Sequence, residues 1–286
     1  MINYLKDTLT LANRLIKHNL RSIDTIITVV AMPIAMLLMF IYILGGSMQL
    51  PGVSHREYVN YILPGILFMT LATGSAYTAL RVFMDKSSGM FDRFKSMPIA
   101  KSAVLNGQVV SSVLFLMFST IVVLLVSLLT GFRSNANLGQ WLLTFVLLFG
   151  FAVMVTWLSM PLGLMAKSID TASAFSYLLL LLLFVSSAFA SVKGMPTAVR
   201  LFAEHQPMTT MITATRELLA GQEPSASFWQ SLAWMIGISG LSFVWSKRIG
   251  RARQFILNES ARLGVLPELL IFLCRLACLK RQDDGK

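Results

Sequence analysis

The sequence predicts an all-α polytopic membrane protein, and two observations support that prediction. Six apolar blocks cross the 286-residue chain without a Lys, Arg, Asp, Glu or His in any of them: 26–48, 58–80, 103–130, 138–166, 171–192 and 226–246. Each block is long enough to cross a hydrocarbon core of about 30 Å as a helix. Hydrophobic residues make up 56% of the chain and charged residues 13%, which is outside the soluble globular range. A closed β-barrel is excluded because its short strands alternate in polarity, whereas these blocks are continuous apolar runs.

The distribution of basic residues predicts the orientation in the membrane. Of the 24 Lys and Arg residues, 19 lie in segments on one side of the predicted membrane and five lie on the other. The richer side comprises 1–25, 81–102, 167–170 and 247–286. Lys and Arg accumulate on the cytoplasmic side of membrane proteins, so both termini are expected in the cytoplasm. Topology and contact with anionic lipid then explain the net charge of +11, and nucleic acid is not expected as a partner.

Three regions are expected: an amphipathic helix within 1–25, a six-span transmembrane domain over 26–250, and a tail over 251–286. In residues 2–21, apolar side chains recur at helical spacing opposite a charged face. Such a helix ahead of the first span should lie in the cytoplasmic membrane interface, either as a plain anchor or as a docking surface for a partner. The tail is also expected in the cytoplasm, and its apolar stretch after Pro267 is too short to span.

Segment 81–102 is the longest predicted cytoplasmic connection. It mixes charged residues with phenylalanine and methionine side chains, among them Phe91, Phe94 and Met97. A loop that only joins two helices does not need such apolar content, so we interpret the segment as a surface for a partner protein. The alternative is that these side chains enter the lipid headgroup region beside Lys and Arg.

The outer segment 193–225 is predicted to form a helical hairpin. Pro207 suits a helix start and Gly221 suits a helix end, which predicts two short helices near 196–204 and 207–220. A hairpin of this size between two spans should lie in the outer interface or re-enter the outer leaflet.

The motifs of the common catalytic and nucleotide-binding sites are missing from the sequence. It has no G-x-x-x-x-G-K-[ST] loop for nucleotide phosphates, no G-x-S-x-G elbow, and no His and Glu pair at metal-binding spacing. The apolar blocks also lack the ionisable residues with which gradient-driven transporters bind and release an ion. We therefore expect no intrinsic enzyme, metal or cofactor, and any active transport would draw its energy from another polypeptide.

Three stretches of the chain show longer patterns: Y-x-x-P-G at 61–65, D-x-x-x-G-x-x-x-R-F-x-x-M-P-I at 85–99, and P-M-T-x6-R-x-L-x-x-G at 207–221. With these patterns the chain resembles the ABC-2 type transporter permeases, in particular the daunorubicin and multidrug-resistance permeases. The order of elements agrees with that family: an amphipathic N-terminal helix, six spans, a mixed loop after the second span and a hairpin before the sixth. The resemblance covers residues 1–250 approximately.

The resemblance implies the permease subunit of an ABC exporter in a bacterial plasma (inner) membrane, as a homodimer or with a paralogous permease. Two separate ABC ATPase subunits would bind ATP and Mg, and 85–98 would hold the coupling helix that enters a groove on the ATPase. The residues implied for this ATPase coupling are Asp85, Gly89, Phe91, Arg93, Phe94, Met97 and Pro98. The residues implied for an outer gate hairpin are Pro207, Thr209, Arg216, Glu217 and Gly221.

The expected substrate is an apolar or amphipathic molecule, such as a drug, a lipid or a peptide, because the spans carry no charge. A cavity between the first, second and fifth spans is expected to use Met36, Met39, Phe40, Phe68, Met69, Tyr77, Phe184 and Ser187. Thioethers adapt to many shapes, although methionine is also ordinary filler in apolar helices.

Two other classes of function stay open at the level of sequence. A passive channel or gradient-driven carrier needs a polar pore or a titratable site, and the apolar blocks offer neither in quantity. A non-transporting membrane scaffold or immunity factor is the other alternative. Deletion of 85–98 would separate it from an exporter, because a scaffold would keep its activity.

Overall fold

The structure is a computed structural model that describes residues 13, 15–17, 19, 21–44, 55–89, 101–189 and 196–263, with only the backbone described at 44, 101–105 and 247–263. This part of the chain is helical and contains no strand. Helix α1 runs through four consecutive segments, Ile23–Ile26, Ile27–Ala31, Met32–Leu38 and Met39–Leu44. The helices that follow are α2 (His55–Ser87), α3 (Lys101–Leu129), α4 (Leu138–Met165), α5 (Ile169–Phe184), α6 (Thr197–His205), α7 (Pro207–Leu219) and α8 (Ala226–Leu263).

Four of the described helices are long and apolar enough to cross a membrane, at Ile23–Ile43, His55–Ser87, Asn106–Leu129 and Leu138–Met165. They correspond to the first four predicted blocks. Helix α5 has 16 residues. It is about 24 Å long, which is less than the hydrocarbon core of about 30 Å. The exact six-span topology stays a prediction.

Helix α5 ends eight residues before the predicted block does, at Phe184 rather than at 192. A serine explains the difference: the Ser186 hydroxyl donates to the Leu183 carbonyl and accepts from the Ala188 N–H. Serine side chains that bond the local backbone in this way offer an alternative to the helical hydrogen-bond pattern. Residues 185–189 therefore form turns.

Helix α2 is the central helix of the described fold and packs against α1, α3, α4, α5 and α7. Its middle is fully buried, at Leu63, Ile66, Leu67, Phe68 and Leu71. Helix α4 crosses it closely at Gly163, where a Cβ would lie 2.5 Å from the Ala79 carbonyl oxygen. Small residues allow such close backbone approach between membrane helices.

Pro33 explains the irregular course of α1. Proline has no N–H and clashes with the carbonyl four residues earlier, which here belongs to Val29. The helix widens to a π-type turn over Ile27–Ala31, with the Met32 N–H bonded to the Ile27 carbonyl. The Ser119 hydroxyl of α3 donates to the Val29 carbonyl. The Val29 carbonyl, which Pro33 cannot bond because it has no N–H, thus receives its hydrogen bond from α3.

Two helices extend beyond the bounds predicted for the spans. Segment 81–102 was expected to be a connection throughout, but α2 continues to Ser87, and 90–100 lie outside the described residues. Helix α8 starts at Ala226, as the sixth block predicts, but it continues to Leu263 and so into the predicted tail. Most of the amphipathic helix at 2–21, and the tail after 263, also lie outside the described residues.

Candidate functional site

The described fold has two ends that concern function, and α2 reaches both. We call the loop end the region where α2 ends and α3 begins, beside the α4–α5 corner at 166–168. We call the hairpin end the region of α6 and α7, beside the α3–α4 connection at 130–137. The described residues of the three longer sequence patterns, 61–65, 85–89 and 207–221, fall at these two ends.

At the loop end, Asp85 and Lys86 tie the last turns of α2 to two other helices. The Asp85 carboxylate accepts a hydrogen bond from Gln108 Nε2 of α3 at 3.0 Å. Lys86 Nζ donates to the carbonyls of Leu164 at 2.7 Å and Ala166 at 3.0 Å. These carbonyls close the C-terminal end of α4, where a cation is favoured by the helix dipole. The base of the loop is therefore fixed to α3 and to the end of α4.

Gly89 ends the described part of the loop with a positive φ of 68°. The Ser88 N–H bonds the Met84 carbonyl and the Gly89 N–H bonds the Lys86 carbonyl, so the helix stops in a tight turn. Left-handed backbone suits glycine, because it has no Cβ. Five further predicted coupling residues lie outside the described residues: Phe91, Arg93, Phe94, Met97 and Pro98.

At the hairpin end, Arg216 of α7 binds two backbone carbonyls on other elements. Its Nε and Nη2 donate to the Tyr61 carbonyl of α2 at 3.3 and 3.1 Å, and Nη2 donates to the Ser187 carbonyl at 2.9 Å. The guanidinium carbon also lies 3.9 Å from the centroid of the Tyr61 ring. Burial lowers the pKa of Arg216 from its ordinary value, while the electrostatic contact with Tyr61 opposes that shift. Arginine nevertheless stays charged in proteins, so this is a charged link between three elements.

Gly221 ends α7 with a φ of 83°. A Cβ there would lie 2.9 Å from the Asn135 carbonyl oxygen. The Leu219 carbonyl just before it accepts from the Ser134 hydroxyl at 2.8 Å and from the Asn135 N–H at 3.3 Å. Glycine is needed at this position for both backbone conformation and space, and the α3–α4 connection holds the end of the hairpin.

The other predicted hairpin residues occupy structural positions. Pro207 begins α7, where its missing N–H costs nothing. Thr209 is buried and accepts from Gln206 Nε2 at 3.3 Å. Glu217 accepts from the Ser225 hydroxyl, which joins α7 to the start of α8. The two hairpin helices match the predicted 196–204 and 207–220 within one residue.

Five of the eight predicted substrate-cavity residues belong to the buried core or pack against it: Phe40, Phe68 and Met69 lie within it, and Met36 and Tyr77 pack against it. Phe68 and Met69 are buried, and Phe68 packs edge-on against Phe151 of α4 with ring centroids 4.9 Å apart. Phe40 and Phe184 both lie against Phe189, with centroid distances of 4.7 and 5.2 Å.

Of the remaining four, Met36 is half-buried and Met39 is exposed, both on α1. Ser187 is drawn to the hairpin end, where its carbonyl accepts from Arg216. Tyr77 lies toward the loop end, beside Thr25 and Arg81. Whether these eight residues contact a substrate stays a prediction.

An apolar cavity of about 260 Å³ lies between α3 and α4. It is lined by Met117, Thr120, Ile121, Leu124, Trp141, Thr144, Phe145 and Leu148. None of the predicted cavity residues lines it. Within the described ranges, no three His, Cys, Asp or Glu side chains are grouped so that they could hold a metal ion.

Several residues at these two ends were not singled out in the sequence. Lys86 lies next to Asp85 in the loop pattern, and this position could have marked it as a candidate residue. Gln108 is one of two amide side chains in the block 103–130, which could also have marked it. The partnership of Arg216 with the Ser187 carbonyl joins residues 29 positions apart and has no local signature.

Comparison with known proteins gives the family. Residues 6–220 match the model of the ABC-2 type transporter family. The chain belongs to that family. It is 31% identical to the daunorubicin resistance ABC transporter permease protein DrrB1 of Streptomyces coeruleorubidus, over 71% of this chain and 70% of that protein. It is 23% identical to the probable doxorubicin resistance ABC transporter permease protein DrrC of Mycobacterium tuberculosis, over 82% of this chain and 84% of that protein. The resemblance in the sequence patterns is confirmed.

Proposed function

We propose that this ABC-2 family member is the membrane-spanning permease subunit of an ABC exporter that moves an apolar or amphipathic molecule. ATP, with Mg, is bound and hydrolysed on two separate ABC ATPase subunits. The chain pairs with a second copy or with a paralogous permease. It lies in a bacterial plasma membrane with six spans, both termini in the cytoplasm and the hairpin in the outer leaflet or its interface.

The observation that most supports this proposal is the way the base of the loop is held. At the point where the loop leaves α2, Asp85 bonds to α3 and Lys86 bonds to the end of α4. A loop serving only as a connection needs no such ties. A loop through which an ATPase moves the helices needs them, because a displacement of the loop must move the helices rather than bend the loop at its base.

Continuity of α2 further supports the proposal. One helix of 33 residues carries Asp85 at the loop end and Tyr61 at the hairpin end. The Arg216 contact then joins Tyr61 to α7 and to the turn after α5. Helix α2 therefore connects the loop directly to the proposed outer gate, so that a displacement of the loop can be transmitted along this helix.

The substrate class rests on the apolar blocks and on the relatives. The names of the two relatives refer to resistance to daunorubicin and to doxorubicin. Apolar side chains are exposed along α1 and α5, among them Ile27, Met39, Leu178, Leu181 and Phe184. A molecule that enters from the bilayer would meet these surfaces first, and the second permease would cover part of them.

The proposal is tested by reconstituting the chain in liposomes with and without its partner ATPase. ATP-dependent accumulation of a fluorescent amphipathic drug should require both proteins. Arg93→Glu, in the loop pattern, should abolish transport while leaving the chain folded in the membrane. Arg200→Gln is the matched control, because Arg200 is exposed on α6 and pairs with Glu204 of the same helix at 2.7 Å. Transport by the chain alone, at the rate of the full complex, would contradict the proposal.

A further inference from the structure

Three polar side chains of α1 and α2 meet at the loop end of the molecule. The Thr25 hydroxyl donates to the Tyr77 hydroxyl oxygen at 2.7 Å, and Arg81 Nη1 donates to the same oxygen at 3.3 Å. The guanidinium carbon of Arg81 lies 6.0 Å from the centroid of the Tyr77 ring. We call these three residues the donor cluster.

The donor cluster has more hydrogen-bond donors than acceptors. A tyrosine hydroxyl has one proton and can accept two hydrogen bonds, and Thr25 and Arg81 supply both. The Tyr77 proton is therefore left to donate. A guanidinium has five N–H groups, and Tyr77 receives one of those of Arg81. Within the described residues, no acceptor contacts the Tyr77 proton or the other guanidinium N–H groups of Arg81.

The carboxylate one helical turn away does not supply it. Asp85 lies four residues after Arg81 on α2, the spacing of a helical ion pair. Its carboxylate instead accepts from Gln108 of α3. Within the described residues, Arg81 has no ion pair, and its polar contact is with Tyr77.

The position of the cluster also suits a particular ligand. Arg81 directly follows the predicted second span, and Thr25 directly precedes the predicted first span. The cluster thus lies at the predicted boundary between headgroups and hydrocarbon, where charge is tolerated. Beside Thr25, Ile23, Ile26 and Ile27 are exposed on α1. A molecule with an anionic head and an apolar body would find a donor set and an apolar surface side by side.

We propose that Tyr77, oriented by the buried Thr25 hydroxyl, and Arg81 bind the phosphate or carboxylate head of an anionic amphiphile. The anion accepts hydrogen bonds from the Tyr77 hydroxyl and from the remaining guanidinium N–H groups, and charge-assisted bonds of this kind are the stronger ones. The ligand comes either from the bilayer, as a resident phospholipid, or from the transport path, as a substrate. The second source rests on the proposed function; the binding site itself does not.

Binding is tested first, on the full chain in nanodiscs of neutral phosphatidylcholine. The probes are spin-labelled phosphatidic acid and spin-labelled phosphatidylcholine with the same acyl chains. Phosphatidic acid is expected to bind about tenfold more tightly, the ratio expected from one charge-assisted hydrogen bond. Arg81→Gln should remove that preference, and Tyr77→Phe should reduce it while keeping the charge. Arg81→Lys should keep part of it.

The matched control is Arg56→Gln, which removes an exposed arginine from the other end of the same helix. It should leave the preference unchanged. Equal binding of the two probes to the wild-type chain would overturn the proposal. So would a loss of preference that is the same in Arg56→Gln and Arg81→Gln, because net charge alone would then explain it. Monodisperse elution of each variant in detergent shows that folding is not the cause.

The source of the ligand is tested by transport with the partner ATPase in neutral bilayers. If the ligand is a substrate, a fluorescent fatty acid moves faster than its methyl ester, and Arg81→Gln removes the difference. If the ligand is a lipid, the two move equally, and added phosphatidic acid raises the rate in wild type but not in Arg81→Gln. Both outcomes support the site. Absence of both effects, in a complex that transports, would contradict its role. If nothing is transported, the proposed function fails while the binding result still decides the site.

Discussion

Helix α2 has a tyrosine that lies against an arginine toward each of its ends, Tyr61 at one and Tyr77 at the other. At the hairpin end, Arg216 bonds two carbonyls and lies over the Tyr61 ring at 3.9 Å. At the loop end, Arg81 has one bond of 3.3 Å to the Tyr77 hydroxyl and a ring contact at 6.0 Å. We call the Arg216–Tyr61 pair closed, because the arginine also bonds to backbone carbonyls of the fold. We call the Arg81–Tyr77 pair open, because the arginine bonds only to the tyrosine among the described residues.

The supply of backbone acceptors makes this difference. The Ser187 carbonyl lies in the turn that follows α5 and points no longer into a helix, so Arg216 can bind it. Arg81 lies on a regular helix whose neighbouring carbonyls are occupied by the helix itself. An arginine with three hydrogen bonds to the backbone, like Arg216, holds a fold together, whereas an arginine with one, like Arg81, is available to a ligand. Four predictions test that contrast, in order of decreasing expected effect.

The largest effect is expected for Arg216→Ala. It removes charge-assisted hydrogen bonds from two carbonyls, and we expect the free energy of unfolding to fall by about 3 kcal/mol. Arg81→Ala, the matched variant, should cost less than about 1 kcal/mol, because one long bond and a distant ring contact are lost. Thermal unfolding of both proteins in detergent measures the difference. Equal destabilisation by the two substitutions would remove the distinction between a closed and an open pair.

The next effect is expected for Gly221→Ala, which acts on the closed end without touching Arg216. A left-handed conformation costs a residue with a Cβ about 1–2 kcal/mol, and here the Cβ also meets the Asn135 carbonyl. The unfolding temperature should fall. Gly237→Ala on α8 is the control, because a Cβ there meets nothing within 4 Å and should not destabilise. If Gly221→Ala were as stable as this control, the α3–α4 connection would not hold the hairpin.

Lys86→Met tests the other cation of the loop end, which has acceptors within the fold. Lys86 has two carbonyl acceptors, unlike Arg81, so its loss should destabilise by about 1–2 kcal/mol. Because it ties the loop base to α4, the reconstituted complex should hydrolyse ATP while transporting less per ATP. Lys86→Arg should keep most of the coupling. Unchanged transport per ATP in Lys86→Met would show that this tie does not carry the movement.

The smallest effects separate the two tyrosines. Tyr61→Phe removes a hydroxyl whose bond to the Ser187 carbonyl is long, at 3.4 Å, and keeps the ring under Arg216. It should change stability by less than about 0.5 kcal/mol. Tyr77→Phe should cost about 1 kcal/mol, because the buried Thr25 hydroxyl loses its 2.7 Å hydrogen bond, and it should also weaken the phosphatidic acid preference. Melting curves together with the nanodisc titration make the comparison, and an unchanged phosphatidic acid preference in Tyr77→Phe would contradict it.

Helices with strong local signals could be predicted from the sequence. The third and fourth blocks agree with α3 and α4 within two residues, because each is a continuous apolar run ending at polar or glycine residues. Helix α7 was predicted because Pro207 and Gly221 determine its start and end through their own backbone chemistry. Such features depend on residues close in sequence.

Features that depend on tertiary contacts could not be predicted. The early end of α5 depends on how Ser186 bonds its neighbours, and serine occurs inside several of the other helices without ending them. The π-type turn near Pro33 depends in part on Ser119, which lies ninety positions after Val29. Among the expected cavity residues, Phe68 is fully buried while Phe184 is half exposed, although both were selected as large apolar side chains of the spans. Residue type alone does not say which face of an apolar helix is covered.

The close crossing at Gly163 has a mechanical consequence. It contacts α2 at Ala79, which is about 9 Å along the helix from Asp85 and about 27 Å from Tyr61, at 1.5 Å per residue. If α2 tilts about that crossing as a rigid rod, it acts as a lever with arms in a ratio of about one to three. A displacement of about 1 Å at the loop base then becomes about 3 Å at the Arg216 contact, in the opposite direction. In such a tilt Gly163 would be the fulcrum, and its place near one end of α2 would set the ratio of the two arms.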